Sequence, residues 1–256
     1  MTTHHRGGAR PEKAALIVAR SIVADIDRRG LIAGDRLPAE RAMLETYSVG
    51  RGTLREALRF LELQNVLSLK PGPGGGPTIE KPDSSALANA MLLLLQFENA
   101  PFANVAETRG GIEPLLARLA ASRMSDAELG ELERSVDRMA VHLDDLGIFL
   151  ETNKVFHNSV AWATQNSLFG FLVDAMLDIF DGTVVGVDYN ERRRQAVLKA
   201  HRRIVDALKL RDGDASEASM ADHIDEYSKY MARKFPEALA RPITWDIGWR
   251  NGQLLG

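Results

Sequence analysis

Three of the six histidines in this chain, His157, His201 and His223, fall in segments with a helical pattern and are of a type that can bind metal. Asn153 precedes His157 by four residues, so the two side chains share one helix face. Neutral imidazole nitrogens bind zinc or nickel, and an amide oxygen can join them without adding charge. A lone buried histidine is more often an ordinary core residue. The residues by themselves leave both interpretations open.

A second group of side chains suits nucleic acid. Arg51, Arg55 and Arg59 are spaced by four, which places all three guanidinium groups on one face of a helix. The opposite face carries three leucines, Leu54, Leu58 and Leu61. A helix with an apolar back and an arginine row fits the major groove of DNA, where arginines bind phosphates or guanine edges. A solvated helix face would show the same spacing.

Helices, a strand and a turn must surround Arg51, Arg55 and Arg59 for these arginines to reach DNA. Residues 37–59 have the pattern of two short helices joined by a tight turn. A leading helix is predicted near 12–29, a strand near 66–69, and a glycine-rich turn at 72–77 that would form a wing. This order of elements resembles a winged helix-turn-helix, and the resemblance implies that residues 11–81 form a DNA-binding domain with a small β-wing.

The histidines need a helical bundle to bring them together. Residues 84–236 have helical periodicity throughout, and Ser125 with Glu128 forms a capping-box signature. The predicted helices lie near 86–97, 102–123, 126–143, 147–164, 168–181, 189–210 and 214–235. We predict a mainly α fold, with a C-terminal antiparallel all-α bundle of six or seven helices. Such bundles build ligand and metal sites from side chains on facing helices.

The ends of the chain have weaker patterns. Residues 1–10 show no periodicity and are predicted to be a disordered arm. Pro236 and Pro242 should break helicity, and the tail 237–256 is expected to be either disordered or an apolar arm that docks elsewhere. The run Arg192-Arg-Arg194 is interpreted as a solvated helix end.

Composition narrows the possible classes of function. The absence of cysteine excludes disulfides, cysteine metal sites and thiol chemistry. The net charge of -3 argues against nucleic acid, but residues 1–81 hold 13 Lys/Arg and 9 Asp/Glu, a net charge of +4. The predicted DNA-binding half is thus the basic half. With no secretory signal and no apolar run long enough to span a bilayer, we expect a cytoplasmic protein without a membrane partner.

The first domain resembles the GntR family of bacterial transcription regulators. The resemblance rests on Gly34-Asp-Arg-Leu-Pro-Ala-Glu-Arg41 and on Val49-Gly-Arg-Gly-Thr-Leu-Arg-Glu-Ala-Leu58. Gly50 stands where the family usually has a serine cap, a change that typically costs a few tenths of a kcal/mol. The resemblance implies contacts with double-stranded DNA from the motif and the wing: Arg41, Arg51, Thr53, Arg55, Lys70 and Gly74.

The second domain resembles the FCD effector domain of the FadR subfamily, in which an Asp-x-x-x-His motif is followed by two further histidines. The resemblance implies a divalent metal, zinc or nickel, held at Asn153, His157, His201 and His223, and a small carboxylate effector contacted by two residues, Arg109 and Asn166. Arg109 is also spaced to form a local ion pair with Glu107 or Glu113. Asn153 replaces the family aspartate, which predicts a weaker metal site with a stronger preference for an anionic ligand.

The leading hypothesis is a transcription regulator, by resemblance a repressor, that binds a pseudo-palindromic operator as a homodimer and responds to a small-molecule effector. One alternative keeps the regulator but replaces the metal site with a metal-free pocket for an acyl or apolar ligand. A zinc hydrolase using three histidines is a second alternative. The sequence contains no His-Glu-x-x-His motif, and we do not expect an enzyme.

Overall fold

The structure, a computed structural model, describes residues 14–70, 72, 75–179, 187–245, 249–250 and 253–254. The chain divides into two compact units, Met1–Ala86 and Leu87–Gly256, and each has its own hydrophobic core. The predicted fold class, mainly α with a small β-wing, is confirmed. The predicted disordered arm at 1–10 lies outside the described residues.

The first unit contains three helices followed by two strands. These are α1 (Ala14–Arg28), α2 (Glu40–Tyr47), α3 (Arg51–Leu63), β1 (Leu67–Lys70) and β2 (Gly76–Ile79). The strands form an antiparallel pair in which Leu67 lies opposite Ile79 and Lys70 lies opposite Gly76. Ile22 from α1, Met43 from α2 and Leu54 from α3 are buried in its core. The apolar back of the arginine-bearing helix is therefore packed against both preceding helices.

A tight turn separates α2 from α3. Ser48 ends α2 in the left-handed conformation, with φ 51°, and its amide donates to the Glu45 carbonyl at 3.4 Å. Gly50 occupies the N-cap of α3 in an extended conformation and contributes no side-chain cap, as the departure from the family serine implies. This turn sets the direction in which α3 leaves the core.

The second unit is a bundle of helices with 13 to 22 residues each, and the predicted count of six or seven is met by seven of them. They are α4 (Ser85–Phe97), α5 (Ala103–Arg123), α6 (Asp126–Val141), α7 (Leu146–Trp162), α8 (Ser167–Ile179), α9 (Glu191–Lys209) and α10 (Gly213–Lys234). The capping box predicted at Ser125 and Glu128 is present at the start of α6. Helix α5 packs against α7, α9 and α10, so it lies at the centre of the bundle.

The long helix α10 ends at Lys234, just before Pro236, where the sequence predicted a break. Pro236 then begins a separate short helix, α11 (Pro236–Ala240), as proline in the first turn allows. Ile243 is fully buried, and its amide donates to the Ala100 carbonyl at 2.9 Å, so this segment docks on its own bundle. Two short strands, β3 (Trp249–Arg250) and β4 (Gln253–Leu254), pair antiparallel beyond it. Within the described ranges, no helix combines the length and apolarity needed to cross a membrane.

Candidate metal centre and nucleic-acid interface

Helices α7, α9 and α10 each contribute one buried histidine to a common point: His157, His201 and His223. One ring nitrogen from each lies within 4.8 Å of the others. The Nε2 atoms of His157 and His223 are 3.4 Å apart. A tetrahedral zinc ion with Zn–N bonds of about 2.0–2.1 Å would hold its nitrogens at roughly this separation. The bundle therefore brings together the three histidines that the sequence singled out.

Glu113 on α5 orients the first of these histidines. One of its carboxylate oxygens lies 2.5 Å from Nδ1 of His157, and the other accepts a hydrogen bond from Nε of Arg109. With Nδ1–H donating to the carboxylate, the Nε2 lone pair of His157 is directed toward the histidine cluster. The sequence had left open whether Arg109 pairs with Glu107 or Glu113, and the structure shows Glu113.

Burial sets the charge states of this group. It raises the pKa of the Glu113 carboxyl, but Arg109 and His157 more than offset this, and the pKa lies well below its ordinary value. Burial lowers the pKa of the His157 imidazole, which Glu113 partly opposes, and it holds the pKa values of His201 and His223 well below the usual range. All three rings are therefore neutral near pH 7, which is the form that binds a metal.

The ring nitrogens of His201 show whether a metal ion fits the histidine cluster. Its ring stacks on Phe156, with centroids 3.7 Å apart and planes inclined by 6°. Both of its ring nitrogens are buried, and neither has a hydrogen-bond partner among the described residues. A buried polar nitrogen without a partner is costly, and a metal ion at the cluster would satisfy one of the two. The donor set, three neutral imidazoles with a carboxylate behind one of them, fits zinc or nickel.

A cavity of about 260 Å³ adjoins the histidines. His157 and His223 form part of its wall, together with Arg109 and the half-buried Asn153, which lies one helical turn before His157. Its apolar wall comes from α7, α8, α9 and α10: Leu150, Leu177, Val197 and Ile224. This volume is below the roughly 300–1,000 Å³ of drug-sized pockets, so the cavity suits a small molecule.

Asn166 is not brought to this cavity. It is exposed at the start of α8, where its side-chain oxygen accepts a hydrogen bond from the Leu168 amide at 3.1 Å. In this structure Asn166 therefore makes a helix-capping contact, and the effector contact implied for it by resemblance stays a prediction.

Several residues of the cavity were missed by the sequence analysis. Tyr189 and Tyr227 line the wall, and their hydroxyls are 3.3 Å apart. Tyr227 follows His223 by four residues, so helical spacing could have identified it. Outside the lining of the cavity, Arg193 is buried, which corrects the interpretation of the 192–194 run as a solvated helix end for that residue, whereas Arg192 is exposed. Lys154 pairs with Asp178 at the edge of the cavity.

The arginine row in the first unit is exposed. Arg51 and Arg55 face solvent on α3, and Thr53 between them is half-buried. Nε of Arg55 lies 3.1 Å from Oε1 of Glu40 on α2, an exposed pair that joins the two helices. Arg59 pairs with Glu62 on its own helix. Exposed ion pairs are weak, so such pairs can exchange for phosphate contacts at little cost.

The remaining predicted DNA contacts lie on α2 and the wing. Arg41 is 93% exposed, and its Nε is 3.7 Å from Oε1 of Glu45. Lys70 is exposed at the end of β1, where the wing turn begins. Gly74 lies outside the described residues. The exposed cations of α2, α3 and β1 thus remain candidates for phosphate contacts.

Comparison with protein families gives two matches that follow one another along the chain. Residues 15–75 match the model for bacterial regulatory proteins of the gntR family, and residues 104–226 match the model for the FCD domain. The two matches together span most of the chain, and they correspond to the unit with the arginine row and the unit with the histidine cluster.

Individual relatives agree with these matches. The HTH-type transcriptional repressor NanR of Citrobacter rodentium is 25% identical over 222 residues, which are 85% of each chain. The HTH-type transcriptional regulator YcbG of Bacillus subtilis is 28% identical over 207 residues, 81% of this chain and 85% of its own. Among solved structures, Streptococcus agalactiae GntR matches with a TM-score of 0.66 and 26% identity, covering 84% of this chain and 99% of that one.

Proposed function

The chain belongs to the GntR family of bacterial transcription regulators and carries an FCD domain, and from this premise we propose that it is a repressor controlled by a small carboxylate effector. The effector would bind in the FCD cavity through a divalent metal held by His157, His201 and His223. The relatives are regulators, not enzymes, and the three-histidine zinc hydrolase is set aside. As a DNA-binding regulator, the protein would act in the cytoplasm.

The proposed DNA contacts come from α2, α3 and the wing. Arg51 and Arg55 would reach phosphates or guanine edges, and Arg41, Thr53 and Lys70 would contact the DNA backbone around them. Their exposure, and the burial of Leu54, Leu58 and Leu61 behind α3, support this assignment. Gly74 would let the wing approach the DNA closely.

The observation that carries the metal proposal is the pair of unsatisfied, buried ring nitrogens on His201, next to two other neutral imidazoles. Asn153 would supply an amide oxygen where the family has a carboxylate. A bound divalent cation would supply a positive charge that attracts a carboxylate. In this proposal the protein itself holds three neutral imidazole nitrogens together for the metal. Glu113 fixes the tautomer of His157, and Arg109 places a guanidinium on the cavity wall.

A homodimer on a pseudo-palindromic operator is part of the proposal, because α3 of one protomer would read only one half-site. Exposed apolar side chains on α4 support self-association: Leu94 is 67% exposed and Phe97 is 79% exposed. Repression would be relieved when the effector prefers the conformation with low operator affinity, since a ligand shifts an equilibrium only by its differential affinity for the two states.

The test begins with selection of genomic DNA fragments by the purified chain, which identifies an operator. Operator affinity is then measured by fluorescence anisotropy at fixed salt, with zinc or nickel and a panel of small carboxylates. We expect at least one carboxylate to lower operator affinity by roughly tenfold or more, as allosteric coupling typically does. We expect EDTA, or the His157→Ala variant, to abolish this response while operator binding itself remains.

A carboxylate response that survives both EDTA and His157→Ala would contradict the metal-dependent mechanism. Release by an acyl or apolar ligand, with no carboxylate response, would favour the metal-free pocket; the four apolar residues of the cavity wall would then be its main contacts. Failure to select any DNA would contradict the regulator assignment.

A further inference from the structure

Helix α3 carries a glycine, Gly52, on the side that faces away from the core. Gly52 is the second residue of the helix and is exposed, whereas Leu61, nine residues later, is buried. Nine residues make two and a half turns at about 3.6 residues per turn, so Gly52 and Leu61 lie on opposite sides of α3. The outward side of the first turn therefore has no side chain at its centre.

Nothing in the described part of the chain requires glycine at this position. Gly52 is not among the glycines with a positive φ, and a Cβ added to it would meet nothing within 4 Å. Glycine in a helix is disfavoured relative to alanine, because it loses more conformational freedom on folding. Close approach of a binding partner to the backbone explains a glycine that neither φ nor packing requires.

Glu56 lies one turn after Gly52 on the same exposed side of α3. Its carboxylate has no hydrogen bond or ion pair among the residues that the structure describes. The neighbouring arginines are engaged elsewhere, since Arg55 pairs with a glutamate of α2 and Arg59 pairs with a different glutamate of α3. The acceptor oxygens of Glu56 are therefore open to a partner.

The position of Glu56 restricts what that partner can be. Arg51 and Arg55, which are proposed to contact DNA, immediately precede Gly52 and Glu56 in the chain. A DNA phosphate would repel the Glu56 carboxylate, so on DNA this side chain must face the edges of bases. In the major groove a carboxylate pairs with the N4 amino group of cytosine. Adenine has an acceptor, N7, beside its amino group and suits an amide instead.

We propose that Gly52 and Glu56 form the centre of the base-reading face of α3. The backbone at Gly52 would lie directly against base edges, and the Glu56 carboxylate would accept a hydrogen bond from N4 of one cytosine in each half-site. The arginines beside them would supply the positive charge that holds α3 to the phosphates. This inference rests on the proposed function, because it names the base that the same helix reads.

The test selects bound sequences from duplex DNA with a randomised core, using the full chain, and then measures affinity for the wild-type consensus by fluorescence anisotropy at fixed salt. The variants are Gly52→Ala, which adds one methyl group, and Glu56→Gln, which replaces the carboxylate with an amide. Gly111→Ala is the control for the first, because Gly111 is a helical glycine of α5 where a Cβ also meets nothing within 4 Å. Asp27→Asn is the control for the second, because it neutralises an exposed acid on α1.

We expect Gly52→Ala to bind the consensus roughly tenfold or more weakly, because the added methyl group holds base edges away from α3. Its melting temperature should be no lower than that of the wild type, since alanine is the better helix former. Gly111→Ala should keep its affinity within about twofold of the wild-type value, because it lies outside the DNA-binding unit.

We expect Glu56→Gln to change the selected sequence at one position of each half-site, from cytosine to adenine, because an amide pairs with N6 and N7 of adenine. Its affinity for unrelated DNA should rise, since a negative charge is lost. Asp27→Asn should select the wild-type consensus, which separates base reading from the general effect of charge.

Three results would overturn the inference and leave the proposed function standing. Gly52→Ala binds the consensus like the wild type, or Glu56→Gln selects the same cytosines, or Gly52→Ala melts well below the wild type, which would show that the fold itself requires the glycine. If the wild-type chain selects no sequence from the library, the regulator assignment and this inference both fail.

Discussion

The Nε2 atoms of His157 and His223 lie 3.4 Å apart inside the bundle, although 66 positions separate the two residues in the chain. Glu113 holds the proton of His157 on Nδ1, so the Nε2 lone pair of His157 points at the other ring. A shared proton or a cation is needed between the two nitrogens to avoid repulsion between lone pairs. With His201 close by and its nitrogens unsatisfied, a cation accounts for all three rings.

Removing one of these histidines should remove the metal. We expect protein purified without chelator to contain about one zinc or nickel ion per chain, and His157→Ala to contain close to none, because a two-imidazole site is much weaker. Elemental mass spectrometry gives the measurement. His142→Ala is the matched control, since His142 is exposed at the end of α6. Equal metal in both variants would exclude the cluster as the binding site.

Restoring the family aspartate should strengthen the site. Asn153→Asp adds a negative ligand one turn before His157, and we expect zinc affinity to rise by about tenfold or more. Asn153→Ala should lower it if the amide oxygen is a ligand. Competition with a chelating dye measures both. Identical affinities for the wild type, Asn153→Asp and Asn153→Ala would show that position 153 does not contact the metal.

The buried pair of Arg109 and Glu113 should be costly to break. Glu113→Gln leaves the Arg109 guanidinium buried without its carboxylate, and we expect a loss of about 3–5 kcal/mol in the free energy of unfolding. Urea denaturation of metal-free protein measures this. Glu107→Gln on the same helix is exposed and should change stability by less than about 0.5 kcal/mol. A similar loss in the two variants would contradict this account.

The buried histidines should make metal-free protein sensitive to mild acid. Their pKa values lie below the unfolded value of 6.5, so between that value and the folded pKa the unfolded chain binds more protons. Stability should therefore be unaffected by these groups above pH 6.5 and should fall below it, by up to about 1.4 kcal/mol per pH unit for each ring.

Thermal unfolding of chelator-treated protein between pH 7.5 and 5 tests this dependence. The variant His201→Phe removes one titrating ring while keeping the stack on Phe156, so its melting temperature should fall less steeply. A wild-type melting temperature that is constant from pH 7 to 5 would contradict neutral burial of these rings.

The arginine row can be tested independently of the effector. Arg51→Ala should lower operator affinity by roughly tenfold or more at fixed salt, because a base or phosphate contact is lost. Arg29→Ala removes an exposed arginine from outside the motif and should stay within about twofold of wild type. Fluorescence anisotropy over a range of salt concentrations measures both. An Arg51→Ala variant that binds like wild type would show that α3 presents a different face to DNA.

A packing prediction concerns Gly170 in α8. A Cβ added there would come within 3.0 Å of three ring atoms of Trp162, so Gly170→Ala should destabilise the chain by about 1–3 kcal/mol. Gly111→Ala is the control: a Cβ there meets nothing within 4 Å, and helix propensity should make that variant up to about 1 kcal/mol more stable. Chemical denaturation that ranks the two variants in the opposite order would contradict this packing.

The helices and most of the candidate residues could be predicted from the sequence alone. Helical periodicity placed the seven bundle helices to within a few residues of their observed ends, because apolar spacing reflects the burial of one face. The spacing of four between Asn153 and His157 fixed a shared face for the same reason. The burial of Leu54, Leu58 and Leu61 behind the exposed arginines followed from the period of α3.

The contacts between side chains of different helices could not be predicted in the same way, because they depend on how the helices pack. The packing of the bundle brings Glu113 to His157 and places Tyr189 and Tyr227 on the cavity wall. It buries Arg193 against the rings of Tyr227 and Tyr230 and leaves Asn166 at the surface. Periodicity assigns each residue a face of its own helix, but it does not say how neighbouring helices are rotated against that face. The carboxylate behind His157 and the tyrosines of the cavity wall arise from that packing.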